Sequence, residues 1–136
     1  MKTIKVCAIM ADKEGKILLQ LRDEEPGKDT WVLFGGGLEN GETEEQALRR
    51  EIKEELGCAI GNIIFFGNYE NNGIGQAVYV VTDPVDPKGL VLGEGGGMGF
   101  FSAAELQTLK IGFNFKYVID DYLSRGRPGF TRGTDG

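Results

Sequence analysis

Histidine is absent from the 136 residues, and that absence excludes more chemistry than any other feature of the chain. Without it no Ser-His-Asp or Cys-His nucleophilic site can be assembled, and histidine-ligated zinc is ruled out. Cysteine is nearly as scarce: Cys7 and Cys58 are the only two, too few for a four-thiolate zinc site. Each stands among apolar residues, the setting of a buried core thiol, and such usage fits a reducing, cytoplasmic compartment. No apolar run approaches the ~20 residues that span a bilayer, so no membrane partner is expected. The opening MKTIKVCAIMADKEGK has no long apolar segment after its lysines and reads as a strand, not a secretion signal. Neither a GxxxxGK[ST] phosphate loop nor a GxGxxG after a strand occurs. Positive charge is in deficit, with 15 Lys and Arg against 21 Asp and Glu and a net charge of −6. A large nucleic-acid partner calls for a basic surface and is not expected. A small phosphorylated substrate stays open, because a metal ion can supply the positive charge.

What the chain has in abundance is carboxylate, 13 Glu and 8 Asp. Oxygen ligands of this kind suit Mg²⁺, Mn²⁺ or Ca²⁺. Hydrophobic content of 40% and charged content of 26% give an ordinary globular balance, and this length suits one domain with one core.

Along the chain, residues 3–10 read as a strand, 12–15 as a turn and 16–22 as a second strand forming a hairpin with the first. Residues 23–30 read as a loop. Residues 31–34 are a short apolar strand running into Gly35-Gly36-Gly37, and Asn40-Gly41 marks a tight turn. After the helix described next, 62–69 and 76–82 look like strands joined by a polar loop. Residues 83–88 hold two prolines and break regular structure. Residues 90–92 read as a short strand, 94–99 as a glycine-rich loop, and 102–109 and 115–124 as helices. Residues 1–125 therefore form one domain, and 126–136, rich in Gly, Thr and Arg, a tail expected to be mobile.

The clearest helix follows Thr43. Thr43 with Gln46 fits a capping box, Glu44 and Glu45 favour the positive end of the dipole, and Gly57 is placed to end the helix in a left-handed conformation. Ala47, Leu48, Ile52 and Leu56 supply an apolar stripe. With Leu48 as reference and about 100° per residue, Glu55 falls near −20°, Glu51 near −60° and Glu54 near −120°. Glu55 thus sits at the edge of the stripe that faces the core, where an unpaired carboxylate is costly. Glu51 and Glu55 also repel at i, i+4. Arg49, Arg50 and Lys53 interleave with the acids, so a solvated helix face would account for the helix by itself. The residues around it change that judgement.

From Gly36 to Cys58 the sequence is GGLENGETEEQALRREIKEELGC. It resembles the signature of the Nudix hydrolases (MutT-like): Gly36, five residues, Glu42, seven residues, Arg50-Glu51-Ile52, one residue, Glu54-Glu55, one residue, Gly57. Cys58 takes a position where the family has an aliphatic residue, a mild departure, since a buried thiol packs like a small hydrophobe.

The resemblance implies an α/β fold, a Nudix-like α/β/α sandwich in which a mixed β-sheet carries the box helix on one face and a C-terminal helix on the other. It implies Mg²⁺, with Mn²⁺ as substitute, bound by Glu51 and Glu55 with Glu54 as a further ligand and the Gly36 carbonyl as another. Glu42 and Arg50 would be structural, an ion pair tying loop to helix, as would Gly57. The implied reaction is water attack on phosphorus in the diphosphate linkage of a small nucleotide-type substrate, a nucleoside triphosphate before a nucleoside-diphosphate sugar. A retired relative that binds a nucleotide without hydrolysis is the weaker alternative. Either Glu51 or Glu94 would be the base; Glu94 stands in Gly93-Glu94-Gly95-Gly96-Gly97, ahead of Glu70, Asp83, Asp86 and Glu105 as the loop carboxylate. Arg22 is a candidate phosphate contact or a surface cation. Trp31 reads as core before site. Phe66, Tyr69, Phe113 and Tyr117 are candidate base-stacking rings, each more easily read as packing. A homodimer stays open.

Overall fold

Val6 to Met10 form an unbroken buried run, which marks a strand covered on both faces. In the computed structural model, which describes residues 3–93 and 95–125, Val6 to Ile9 belong to β1 (Thr3–Ile9) and Met10 follows it. The strands that follow are β2 (Ile17–Leu21), β3 (Trp31–Val32), β4 (Phe34–Gly37), β5 (Ile63–Asn71), β6 (Ile74–Val81) and β7 (Gly97–Phe101). The helices are α1 (Glu44–Leu56), α2 (Ala103–Leu106) and α3 (Phe115–Arg125), with a 3₁₀ turn at Pro87–Gly89. One sheet runs β4-β1-β6-β5 and a second β3-β2-β7. β1 pairs in parallel with β6 and antiparallel with β4, so the larger sheet is mixed.

The expected hairpin of the first two strands does not form. The turn is there: the Asp12 carboxylate accepts from the backbone N–H groups of Glu14 and Lys16 at 3.0 and 2.9 Å. Beyond one bridge at Ala11 and Ile17, however, the strands part into different sheets. Both edges of β1 are already taken by β4 and β6, and β2 takes β3 and β7 instead. The apolar run 31–34 divides in the same way at Leu33, giving one strand to each sheet.

Alternation along β1 builds two cores. Val6, Ala8 and Met10 pack with Ala47, Leu48, Ile52 and Leu56 of α1, all four of them fully buried. Cys7 and Ile9 face the other way, with Val118, Ile119 and Tyr122 of α3. The sheets are therefore held between α1 and α3, as the resemblance implied. Burying a Leu side chain in such a layer contributes about 1.5–3 kcal/mol.

α1 begins and ends as its sequence dictates. Thr43 Oγ1 accepts from Gln46 N–H at 3.1 Å and Gln46 Oε1 from Thr43 N–H at 2.9 Å. Gly57 closes the helix at φ 67° and donates to the Lys53 carbonyl. Residues 90–92 are not a strand. Val91 N–H donates to the Leu56 carbonyl at 3.0 Å and Gly93 N–H to that of Glu55 at 2.8 Å, so the segment satisfies the free carbonyls at the end of α1. The glycine-rich stretch, expected to be loop to residue 99, already forms β7 from Gly97. Among the described residues no helix is long and apolar enough to cross a membrane. The tail, residues 126–136, and Glu94 lie outside the described residues.

Candidate active site

Burying Leu48, Ile52 and Leu56 against β1 and β4 fixes the roll of α1 about its axis. Glu51 and Glu55 are then half-buried beside the stripe, while Glu54 is exposed. Glu55 reaches the start of β4, where its Oε1 accepts the Gly35 N–H at 3.2 Å. Its Oε2 accepts from Gln20 Nε2 of β2 at 3.1 Å. Both partners are neutral. Burial pushes the Glu55 carboxyl up to about 7, and the charges of Glu51 and Glu54 push the same way; the bonds from Gln20 and Gly35 oppose the rise.

Glu51 faces Gly36. A Cβ on that glycine would lie 2.5 Å from Glu51 Oε2, so a side chain there would displace the Glu51 carboxylate.

Arg50 organises the negative charges around it. Nε and Nη2 meet the two oxygens of Glu42 at 2.7 and 2.9 Å, the bidentate geometry that carboxylates and guanidinium groups share. Nη2 also donates to the Gly37 carbonyl at 3.0 Å, and Nη1 reaches Glu51 at 2.9 Å and Glu54 at 3.1 Å. Arg50 and the Glu39 N–H hold the Glu42 carboxyl down to about 2, and Glu42 first among the acids raises the basicity of Arg50. The loop-to-helix ion pair read from the sequence is thus present, and it also clasps two further carboxylates of the helix.

These groups open on one cleft of about 780 Å³. Glu51, Glu54, Glu55 and Gly36 line it, with Arg22 and Gly93. Arg22 donates from Nε to the Pro26 carbonyl at 2.8 Å and sets its guanidinium 5.3 Å from the Phe113 ring centre. Of the four candidate stacking rings, Phe113 lines the cleft. Phe66 packs against Tyr122 and Arg125, Tyr69 donates to Asp121 at 2.7 Å, and Tyr117 points to solvent at 75% exposure. Trp31 packs edge-on to Phe101 at 4.8 Å, a core contact. Glu105 and Asp86 are occupied as caps, of α2 and of the 3₁₀ turn. The chain neighbours of Glu94, Gly93 and Gly95, line the cleft.

Sequence reasoning missed Gln20 and Gln76, both on the cleft wall. A polar residue between Leu19 and Leu21 in an apolar strand was a usable signal for Gln20; Gln76 carried none, since the sequence reads it as the first residue of a strand after a polar loop, where a polar side chain is ordinary.

The donor set is all oxygen, which suits a hard divalent cation. Glu55 supplies the test of fit: a half-buried carboxylate met by two neutral donors and, among the described residues, by no cation. Among the described residues no three acids converge on one point, because Arg50 holds Glu51 and Glu54 while β2 and β4 hold Glu55. A cation would therefore draw Glu51 or Glu54 away from Arg50.

A family model described as NUDIX domain matches residues 1–120. Nucleoside triphosphatase NudI of Enterobacter sp. (strain 638) is 47% identical over 55 residues, 38% of each chain. The same protein from Escherichia coli O139:H28 is 46% identical over the same share, so the match spans well under half the length of these relatives. Among solved structures, MutT in a study of Aliivibrio salmonicida and Vibrio cholerae superposes with a TM-score of 0.78 at 23% identity, over 92% of this chain and 100% of that one. The NUDIX domain of Shewanella oneidensis NrtR, solved with ADP ribose, gives 0.79 at 17% identity, over 92% and 88%. At these identities the likeness is one of fold.

Proposed function

The chain belongs to the Nudix domain family, and on that premise we propose that it hydrolyses a diphosphate linkage in a small nucleotide, a nucleoside triphosphate first. The observation that carries the reading is the grouping of Glu51, Glu54 and Glu55 on one wall of the cleft that Arg22 also lines. Glu51, Glu54 and Glu55, with the backbone of Gly36, would hold Mg²⁺, or Mn²⁺ in its place. An ion held there would supply positive charge against the phosphates and a lowered pKa for its bound water.

The rest is the work of the chain. Gln20 and the Gly35 N–H orient the Glu55 carboxylate. Arg50, anchored by Glu42 and the Gly37 carbonyl, sets the positions of Glu51 and Glu54 and keeps their mutual repulsion in check. Arg22, on the same cleft, would meet a phosphate oxygen. Glu51 or Glu94 takes the proton from the attacking water, a step worth about 10²–10⁴-fold.

The triphosphatase name of the two relatives supports a triphosphate over a nucleotide sugar. The test is a panel of nucleoside triphosphates, nucleoside-diphosphate sugars and dinucleoside polyphosphates, with and without Mg²⁺, with products identified by mass. Release of pyrophosphate or phosphate from triphosphates is the expected result. Turnover confined to nucleotide sugars would move the substrate class, and binding without turnover would mark a retired relative.

A further inference from the structure

Gln76 is 93% withdrawn from solvent, at 7% exposure. Its Oε1 has no hydrogen-bond partner, and the residue lines the same cleft as the carboxylates. A buried acceptor left unpaired is uncommon and costs free energy. In a cleft wall it is a group waiting for a donor.

Its place in the sheet says which part of a ligand it meets. Gly37 of β4, Lys5 of β1 and Gln76 of β6 stand in one row across three strands. Two strand spacings of ~4.8 Å separate Gln76 from β4 by about 10 Å, the span of a sugar and a base beyond the phosphates. Gln76 also shares its face of β6 with Val78 and Val80, which pack toward α3. The carboxylates come from α1, in the opposite layer. The cleft therefore has an acidic end and a separate amide end.

Aromatic rings line the same cleft. Phe113 and Phe115 do so, packed edge to face at 6.2 Å, and Asn114 between them donates to the Glu70 carbonyl at 3.2 Å, next to Tyr69, the β5 partner of Gln76. Phe113 is 42% exposed and held at φ 53°, a conformation that a bulky side chain adopts only under outside constraint. An exposed ring beside a buried acceptor suits a planar heterocycle bearing an N–H group, and suits a sugar less well.

We propose that Gln76 is the specificity-determining residue of the cleft: its Oε1 accepts a hydrogen bond from an N–H of the nucleobase, which lies against Phe113. This rests on the nucleotide-hydrolase reading above and names the part of the substrate that the chain inspects.

The test compares nucleotides that differ in single N–H groups of the base. ATP is set against the purine nucleoside triphosphate and CTP against the 2-pyrimidinone nucleoside triphosphate, each pair differing in the exocyclic amine alone; GTP is compared stepwise with ITP and 1-methyl-ITP, and UTP with 3-methyl-UTP. For the preferred ring class, kcat/KM of the natural nucleotide should exceed that of its donor-free partner by about tenfold or more, the worth of one hydrogen bond. Gln76→Met, similar in size and without the acceptor, should bring the two within threefold, mainly through KM. Circular dichroism and the melting temperature check its fold. Equal handling of both partners by the unmodified protein would overturn the proposal, leaving water or a sugar hydroxyl as the donor to Gln76. That comparison decides the matter even if the variant does not fold. If no nucleotide is turned over, the hydrolase reading fails, and the same ratios are read as Kd by calorimetry without Mg²⁺. A tenfold ratio there keeps Gln76 as the base reader of a binding protein; a ratio near one, or no binding, removes it.

Discussion

The carboxylate of Glu51 fills the space in front of Gly36, such that a Cβ on residue 36 would lie 2.5 Å from Oε2 and 2.6 Å from Oε1. The obstructing group is the far end of a flexible side chain, so the fold can absorb a methyl group there by moving Glu51. Gly36→Ala should therefore melt close to the unmodified protein yet lose at least about tenfold in kcat/KM, since a displacement near 1 Å in a catalytic group can cost 10²-fold. Enzyme kinetics beside a thermal melt checks it, and unchanged turnover would detach Glu51 from the chemistry.

Glu55→Gln should abolish most activity with the fold intact. Its pH signature is specific. In the metal-free protein Glu55 titrates near 7, against 4.5 for a free glutamate, so between those values the folded state holds the proton more tightly than the unfolded state. Stability then falls as pH rises from about 4.5 to 7, by on the order of 1–3 kcal/mol in all. Denaturant melts across that range, without metal, should show the slope in the unmodified protein and a flatter line in the variant. Near-normal turnover of Glu55→Gln with Mg²⁺ would overturn the assignment.

Glu42 works in the opposite direction. Arg50 holds its carboxyl down to about 2, so its contribution is present above about pH 4.5 and is lost as pH falls toward 2. Arg50→Lys keeps the charge and loses the fork that grips Glu42 twice while reaching Glu51 and Glu54. The expected result is a lower melting temperature and a lower kcat together. A loss of melting temperature alone would confine Arg50 to holding the loop.

Glu94→Gln should lower kcat by at least tenfold with little change in melting temperature. The measurement is turnover at several Mg²⁺ concentrations, so that weakened metal binding is not mistaken for loss of a base. A loss below threefold throughout would leave Glu51 as the base.

The box was legible in the sequence because everything that defines it is local. Thr43 with Gln46, Gly57, and the stripe of Leu48, Ile52 and Leu56 fix a helix and its buried face, and helical periodicity alone then places Glu51, Glu54 and Glu55 along one flank. The acidic end of the cleft needed little more than that. Which strands meet was another matter. Residues 3–10 and 16–22 read as a hairpin, yet β1 and β2 separate, because strand pairing is settled by which edges remain free once distant segments have docked. Gly97 and Gly99 lack side chains and still join β7, since pairing with β2 satisfies their backbone groups whatever the side chains are. The partners of the site are likewise distant in sequence. Gln20 meets Glu55 across 35 residues, and Gln76 joins the cleft because parallel pairing sets it beside Lys5. Local spacing therefore decided the chemistry at the acidic end. The far wall of the cleft, where a base would be read, was decided by tertiary structure alone, because buried side chains and freed acceptors exist only once the sheets have closed.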